Sequence, residues 1–251
     1  MYLFLTSSPC SDDVPEGSGL PCILNRANGF VSRLRQTMKE RTQMLIIAAQ
    51  PDAPEHNDEM RETFHRAFSY HGLPVERTVM LDARSEDRAE ELIAGSAFIM
   101  LAGGHVPTQN AFFTRLRLRE RLAGCEAVFM GISAGTMNCA DVVYAQPEMP
   151  GESTDAAYRR FIPGLALTRL NVLPHYQQVK DYTLDGKRLF EDITYGDSVN
   201  HAFFALPDGS YILQTPEKAE VFGEAYLIRD KKLSLYCCEG SSRVICQEDV
   251  T

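Results

Sequence analysis

Short apolar runs alternate with longer amphipathic segments through the first two thirds of the chain. Five apolar runs have the length of strands, at 2–6, 44–49, 77–81, 97–101 and 127–132. The segments between them favour helices, at 28–41, 57–71, 85–94 and 108–123, and one face of the second helix carries Met60, Phe64, Ala67 and Phe68. Strands that alternate with helices predict βαβ crossovers and therefore an α/β fold, a mostly parallel sheet flanked by helices.

The pattern changes after Asp141. Residues 145–164 are rich in proline, glutamate and glycine, which predicts a long loop with a helical turn near 156–161. A further strand at 168–173 and a helix at 183–195 follow. Later come short strands separated by turns, at 202–206, 211–214, 225–228 and 233–236, and we expect them to add antiparallel strands to the same sheet. The sequence contains no repeat, low-complexity tract or linker, so we expect one domain over 1–251.

Composition and charge narrow the class of protein. The chain is 44% hydrophobic and 24% charged, as in ordinary globular domains. A net charge of -9 without a Lys/Arg run argues against a nucleic-acid-binding surface. No apolar run has membrane-spanning length and the N-terminus lacks signal-peptide features, so we expect no membrane association. Seven irregularly spaced cysteines without a C-x-x-C motif predict neither a disulfide framework nor a zinc site, which fits a cytoplasmic location.

The most informative motif is the segment Gly131-Ile132-Ser133-Ala134-Gly135, which has the form G-x-S-x-G. An apolar strand-like run precedes it and small, helix-tolerant residues follow, so the pattern is strand, tight turn and helix. That arrangement is typical of a nucleophile elbow, in which Ser133 is the nucleophile. The turn also directs the N–H of Ala134 to where an oxyanion would form. The alternative is a glycine-rich turn that binds a ligand or only packs.

A serine hydroxyl needs a base within hydrogen-bond reach. His175 follows the predicted strand 168–173 and would lie at the same edge of a parallel sheet as Ser133, so it is the predicted base. His105, which follows two glycines at another strand end, is the competing candidate. The other histidines are interpreted as solvated helix positions (His56, His65 and His71) or as a structural strand residue (His201).

Two further elements of a serine site are less sharply defined. Gly103-Gly104 at the end of strand 97–101 would let the backbone approach a substrate, so the Gly104 N–H is a second candidate oxyanion donor, although glycine turns at strand ends are common. A carboxylate must orient the imidazole. The residues alone do not rank the candidates Asp141, Glu148, Glu152 and Asp181.

Together these motifs resemble peptidase family S51, which contains dipeptidase E and cyanophycinase. The resemblance rests on Ala102-Gly103-Gly104, Gly131-Ile132-Ser133-Ala134-Gly135, Pro174-His175 and Leu206-Pro207-Asp208-Gly209-Ser210. It extends from the first strand to the final hairpins. It implies a class I glutamine amidotransferase-like fold with flavodoxin-like layering.

The resemblance also implies roles for site residues. It places the nucleophile at Ser133, the catalytic histidine at His175 and the acidic residue at Glu148, with Glu152 in reserve. The oxyanion donors would be the N–H groups of Gly104 and Ala134. Dipeptidase E carries an aspartate at the position of Glu148, so the glutamate is a departure from that pattern.

The implied activity is hydrolysis of peptide bonds in small peptides through an acyl-enzyme, without metal or cofactor. Related amidotransferases carry cysteine at the elbow, so serine argues against glutamine hydrolysis. Known relatives prefer an aspartyl residue, which requires a cationic pocket, and basic residues occur near the predicted site at Arg159, Arg160, Arg169 and Lys180. The alternatives are an esterase with the same elbow and a non-catalytic binding or regulatory protein. A homodimer is a further expectation.

Overall fold

The computed structural model describes residues 1–11, 13–39 and 42–250. The strands within these ranges are, in chain order, β1 (Tyr2–Thr6), β2 (Cys10–Ser11), β3 (Ile23–Leu24), β4 (Thr42–Ile47), β5 (Val75–Leu81), β6 (Phe98–Leu101), β7 (Val128–Ile132), β8 (Val142–Tyr144), β9 (Phe161–Pro163), β10 (Asn171–Leu173), β11 (Thr183–Leu184), β12 (Lys187–Arg188), β13 (Ala202–Ala205), β14 (Tyr211–Gln214), β15 (Ala219–Phe222), β16 (Ala225–Arg229), β17 (Lys232–Cys237) and β18 (Ser242–Val244).

The α-helices in the same part of the chain are α1 (Phe30–Thr37), α2 (Pro54–Tyr70), α3 (Ala89–Ala94), α4 (Val106–Arg115), α5 (Leu118–Arg121), α6 (Ala134–Asn138), α7 (Tyr176–Val179) and α8 (Tyr195–Asp197). Tighter helical turns occur at Ala27–Gly29, Ala83–Arg88 and Gln247–Asp249, and a wider π-type turn spans Leu189–Thr194.

The main sheet of the described chain has the strand order β18-β15-β14-β1-β7-β6-β4-β5. All neighbouring pairs from β1 to β5 are parallel, which confirms the mostly parallel α/β sheet predicted from the five early apolar runs. Successive residues of β1 point to opposite faces, because Leu3 and Leu5 belong to one buried cluster and Phe4 to the other. Since both faces are buried, the central strands β1, β6 and β7 are almost entirely apolar, whereas the edge strand β5 carries the exposed residues Glu76 and Arg77.

The C-terminal strands divide between two sheets. β14, β15 and β18 extend the main sheet beyond β1 through successive antiparallel pairs, β1 with β14, β14 with β15 and β15 with β18. Of these three, β14 is the one that the sequence predicted, as a strand over 211–214. β13, β16 and β17 instead form a second sheet with β10, in the order β10-β13-β16-β17, so the prediction that they join the same sheet is wrong. A third buried cluster explains the division, because side chains of β10 and β13 such as Leu173 and Phe203 pack with Ala134 and Met137 of α6.

Several local predictions also differ from the structure. The predicted helix 183–195 begins as the β11–β12 hairpin, because Asp185-Gly186 forms a turn with both φ angles positive. In place of the predicted helical turn near 156–161, residues 156–160 form a turn and a bend, and β9 begins at Phe161. Helix α1 ends at Thr37, and residues 40–41 of the predicted helix lie outside the described residues.

His71 is a further correction. It is buried rather than solvated, and its Nε2 accepts the Leu24 N–H at 3.1 Å. Burial accordingly lowers the pKa of His71. In the ranges that the structure describes, no helix is both long and apolar enough to cross a membrane.

Candidate active site

Ser133 lies at the sharp turn between β7 and α6. Its backbone has φ 50° and ψ -114°, a conformation that costs a non-glycine residue about 1–3 kcal/mol. The turn is held by β1, because the Ser133 N–H donates to the carbonyl oxygens of Thr6 and Ser7 at 3.2 and 3.1 Å. Thr136 contributes a further hydrogen bond to the same segment, because its hydroxyl donates to the Thr6 carbonyl at 2.7 Å. The strained turn is therefore braced by the neighbouring strand on both sides of the serine.

The two glycines of the G-x-S-x-G motif are required by close packing. A Cβ on Gly131 would lie 2.6 Å from Cα of Thr136. A Cβ on Gly135 would overlap the carbonyl group of Leu101, which belongs to the adjacent strand β6. The motif thus reflects the tight passage of the chain between two parallel strands, the feature that the sequence pattern indicated.

His175 lies directly after β10 and faces the serine. Its Nε2 is 2.9 Å from Ser133 Oγ. The histidine has a left-handed backbone, with φ 56°, and its N–H donates to Ser7 Oγ at 2.6 Å. Ser133 and His175 are therefore brought into hydrogen-bond contact, as the sequence predicted for a nucleophile and its base.

The carboxylate beside His175 belongs to Asp208. Its Oδ1 is 2.8 Å from His175 Nδ1 and also accepts the Ser7 hydroxyl at 2.6 Å. Its Oδ2 accepts the side-chain amides of Gln177 and Gln178 at 2.6 and 2.9 Å. Because a carboxylate can only accept, the proton on His175 lies on Nδ1, and Nε2 is left to accept the hydroxyl hydrogen of Ser133.

The hydrogen bonds also control the charge of Asp208. Partial burial would raise its pKa, but the bonds from His175, Ser7 and Gln177 outweigh that effect and lower it below its ordinary value. Asp208 is therefore ionised at neutral pH and carries the negative charge next to the imidazole.

The sequence prediction that Glu148 orients the imidazole does not agree with this geometry. Glu148 Oε1 accepts the Val106 N–H at 3.0 Å, and the structure records no hydrogen bond between Glu148 and His175. Burial raises the pKa of Glu148, against the opposing effects of the Val106 N–H and the nearby histidines. The reserve candidate Glu152 bonds to His105 Nε2 at 2.7 Å.

The other acidic candidates lie elsewhere. Asp141 pairs with Arg119 at 2.7 Å, and Asp181 is an exposed side chain 3.9 Å from Lys180. The competing base His105 contacts Thr108 and Glu152 through its two ring nitrogens rather than Ser133.

Asp208 was missed because its partnership depends on strand pairing. Strand β10 is parallel to β13, with Leu173 opposite Ala205, so the residues that follow both strands emerge side by side. Each strand leads into a Leu-Pro step, Leu173-Pro174 before His175 and Leu206-Pro207 before Asp208. That repeated step is the signal that sequence reasoning could have used, since it places His175 and Asp208 at equivalent positions.

The predicted oxyanion donors lie at the same site. Gly104 and Ala134 line one cavity together with Ser133 and His175. Neither backbone N–H donates a hydrogen bond to another described residue. A Cβ on Gly104 would lie 2.7 Å from that of Ala49, and a Cβ on Gly103 would lie 3.4 Å from that of Ser133. The glycine pair therefore allows the β6 turn to approach the serine closely.

The cavity at the serine has a volume of about 230 Å³. Its remaining walls are mostly apolar, formed by Val106, Met137, Pro147, Pro174, Val179 and Leu189, with Gln146, Glu148 and Tyr182 as polar members. A larger surface hollow of about 790 Å³ beside Arg169 contains neither Ser133 nor His175. The smaller cavity is therefore the one that contains the strained serine and the histidine in hydrogen-bond contact with it.

No cluster suited to a metal ion was found in the described part of the chain, where no group of three or more His, Cys, Asp or Glu side chains converges on one point. Cys139, the cysteine closest in sequence to the elbow, is buried and its Sγ donates to the Gly135 carbonyl at 3.1 Å. Burial raises the pKa of its thiol, so it is unsuited to act as a nucleophile in place of Ser133.

Fold and geometry together define an α/β protein with a serine, histidine and aspartate joined by hydrogen bonds at the edge of a parallel sheet. The chain belongs to peptidase family S51, whose profile matches residues 29–222 and so includes all three side chains. The resemblance stated from the sequence motifs is confirmed.

One solved structure with this fold comes from Listeria monocytogenes EGD-e, a protein provisionally described as a peptidase E. It is 19% identical in sequence, with a TM-score of 0.50, over 94% of this chain and 97% of the Listeria chain. At that identity the likeness shows a shared fold. No curated protein matches this chain.

Proposed function

We propose that this protein is a serine peptidase that hydrolyses peptide bonds of small peptides through an acyl-enzyme. The observation that carries the proposal is the unbroken chain of hydrogen bonds from Ser133 Oγ through the His175 ring to Asp208. Membership of peptidase family S51 supports the peptidase activity. The assigned roles are nucleophile for Ser133, general base for His175 and orienting carboxylate for Asp208.

In the first half-reaction, Ser133 Oγ attacks the carbonyl carbon of the scissile bond while His175 Nε2 accepts the hydroxyl proton. Asp208 holds the Nδ1–H and stabilises the imidazolium that forms. The N–H groups of Gly104 and Ala134 donate to the oxyanion of the tetrahedral intermediate. The imidazolium then returns its proton to the leaving amine, and the acyl group remains on Ser133 as an ester.

In the second half-reaction, water attacks the ester carbonyl. His175 takes a proton from that water, and a second tetrahedral intermediate is stabilised by the same two N–H groups. Collapse of the intermediate returns the proton to Ser133 Oγ and releases the carboxylic acid product. Each step in this sequence uses the side chains of Ser133, His175 and Asp208, the two backbone N–H groups, and water.

The size of the cavity supports a small substrate. A volume of about 230 Å³ is below the roughly 300–1,000 Å³ typical of sites for drug-sized ligands. The space beside Ser133 therefore suits one amino-acid residue on the acyl side, as an exopeptidase or dipeptidase requires.

The test is labelling with a fluorophosphonate, a probe that reacts with activated serines, followed by peptide mapping. We expect the probe on Ser133, and we expect Ser133→Ala to lose both labelling and hydrolysis of a dipeptide panel. Ser69→Ala is the matched control, because Ser69 is an exposed residue of α2. An unlabelled Ser133 in a folded wild-type protein that hydrolyses no peptide would instead favour a binding protein.

A further inference from the structure

The charges that line the cavity do not suit an acidic substrate. Glu148 is the only carboxylate among the lining residues, and the lining contains neither lysine nor arginine. An aspartyl side chain placed there would face Glu148 with no cation to compensate, which is an unfavourable like-charge contact. The preference of S51 relatives for an aspartyl residue is therefore not supported by the side chains that line this cavity.

None of the four basic residues that the sequence offered for an aspartyl pocket lines the cavity at Ser133. Arg160 forms two hydrogen bonds with Asp197, one of 2.9 Å through its NH2 group. Lys180 lies near Asp181 at the surface, and Arg169 lines the larger hollow rather than the cavity at Ser133. Arg159 is exposed and is absent from the cavity lining.

The Glu148 carboxylate is held in place by hydrogen bonds and is still accessible from the cavity. Its backbone N–H donates to Glu152 Oε2 at 2.9 Å, and its side chain accepts the Val106 N–H, two residues beyond Gly104. The ring of His105 bonds to Glu152 at 2.7 Å and lies 4.0 Å from Glu148. The Glu148 side chain remains 43% exposed, so the carboxylate can still accept hydrogen bonds from a ligand.

The rest of the cavity suits a hydrocarbon chain. Val106, Met137, Val179 and Leu189 give it apolar walls that methylene groups can contact. An apolar body with one ammonium group would satisfy both the walls and the carboxylate.

We propose that Glu148 binds a primary ammonium group of the substrate on the acyl side of the scissile bond. The proposal rests on the proposed peptidase function. Two parts of a peptide supply such a group, the α-ammonium of its first residue and the side chain of a lysine. Both form the same charge-assisted hydrogen bonds with a carboxylate, and the experiment separates them.

The experiment measures binding first, so that it does not depend on turnover. Lysinamide, norleucinamide, N-acetylnorleucinamide and the α-amide of aspartate are titrated into Ser133→Ala by ligand-observed NMR. Norleucine is an apolar counterpart of lysine, and its acetylated form lacks the α-ammonium. The titrations are repeated in Ser133→Ala/Glu148→Gln, with Ser133→Ala/Glu76→Gln as control, because Glu76 is an exposed residue of the edge strand β5.

An α-ammonium site predicts that norleucinamide binds better than its acetylated form and that Glu148→Gln reduces this preference about tenfold, as expected for a partly exposed charged hydrogen bond. A lysyl side-chain site predicts the same loss in the preference for lysinamide over norleucinamide. Either result supports the proposal and identifies the source of the ammonium group.

One result would overturn it: ligand preferences unchanged by Glu148→Gln, including a case in which the aspartate amide binds most tightly with and without the Glu148 carboxylate. Hydrolysis of the corresponding p-nitroanilides by the protein with Ser133 intact is the second readout. If binding follows the prediction but no substrate is turned over and Ser133 resists the fluorophosphonate, the peptidase function fails while the ammonium site remains.

Discussion

Replacing Asp208 by asparagine tests the central assignment most directly. Asn has nearly the same shape, but the change removes the negative charge next to His175. All four recorded side-chain contacts of Asp208 come from donors, namely His175, Ser7, Gln177 and Gln178. A neutral amide keeps the bond to Nδ1–H only if its oxygen faces His175. Its NH2 group then faces the side-chain amides of Gln177 and Gln178, and both of these must turn away or reverse. The geometry can therefore survive while the electrostatic stabilisation is lost.

The expected loss follows from the charge separation in the transition state. With Nδ1 2.8 Å from Oδ1, the centres of the imidazolium and carboxylate charges lie about 5 Å apart, which gives about 3 kcal/mol at an effective dielectric constant of about 20. Asp208 is only 25% exposed, so solvent screens this interaction incompletely. Removing about 3 kcal/mol from the transition state lowers kcat/KM on the order of 100-fold.

The assay compares kcat/KM for one dipeptide, and the rate of fluorophosphonate labelling, in wild type, Asp208→Asn, Glu148→Gln and Asp181→Asn. The last variant makes the same chemical change at an exposed carboxylate that lies six residues after His175 in sequence. We expect Asp208→Asn to show the largest loss on both readouts and Asp181→Asn to stay near wild type. Fluorophosphonate labelling does not involve a substrate ammonium group, so a larger loss of labelling rate in Glu148→Gln than in Asp208→Asn would refute the assignment and restore Glu148 as the orienting acid.

Three further predictions concern the surrounding structure. Ser7→Ala removes the hydroxyl that accepts the His175 N–H and donates to Asp208, so we expect the free energy of unfolding in urea to fall by about 1–3 kcal/mol and kcat to fall as well. Unchanged values for both would show that Ser7 is dispensable. Gly135→Ala forces a methyl group into the Leu101 carbonyl, so the melting temperature should fall well below that of Ala94→Gly, a helix-end control; equal melting temperatures would contradict the packing argument. Because the pKa of Asp208 is lowered in the folded state, its contribution to stability is present above about pH 4 and disappears as pH falls through the folded-state pKa. The stability difference between wild type and Asp208→Asn should therefore shrink in thermal melts below about pH 4. A difference that grows there would contradict the lowered pKa of Asp208.

The local parts of this protein were predictable from its sequence. The strands β1, β4, β5, β6 and β7 each contain an apolar run, because both faces of a parallel sheet are covered over most of its area. The elbow was predictable because close contacts leave no room for a Cβ at its two glycines. Gly131 packs against Thr136 a few residues away, and Gly135 packs against Leu101 of the adjacent strand. Ser133 and His175 were both found, since each follows a strand whose apolar pattern is clear in the sequence.

The identity of the acid and the charge of the cavity were decided by tertiary structure. Asp208 is 33 residues from His175, and the two meet only because β10 and β13 pair in parallel in a second sheet that packs on α6. Strand pairing of this kind depends on side-chain packing between distant segments, which periodicity along one segment does not encode. For the same reason the sequence could show that Arg160 and Glu148 lie in nearby segments, but only the folded chain pairs Arg160 with Asp197 and leaves Glu148 in the cavity.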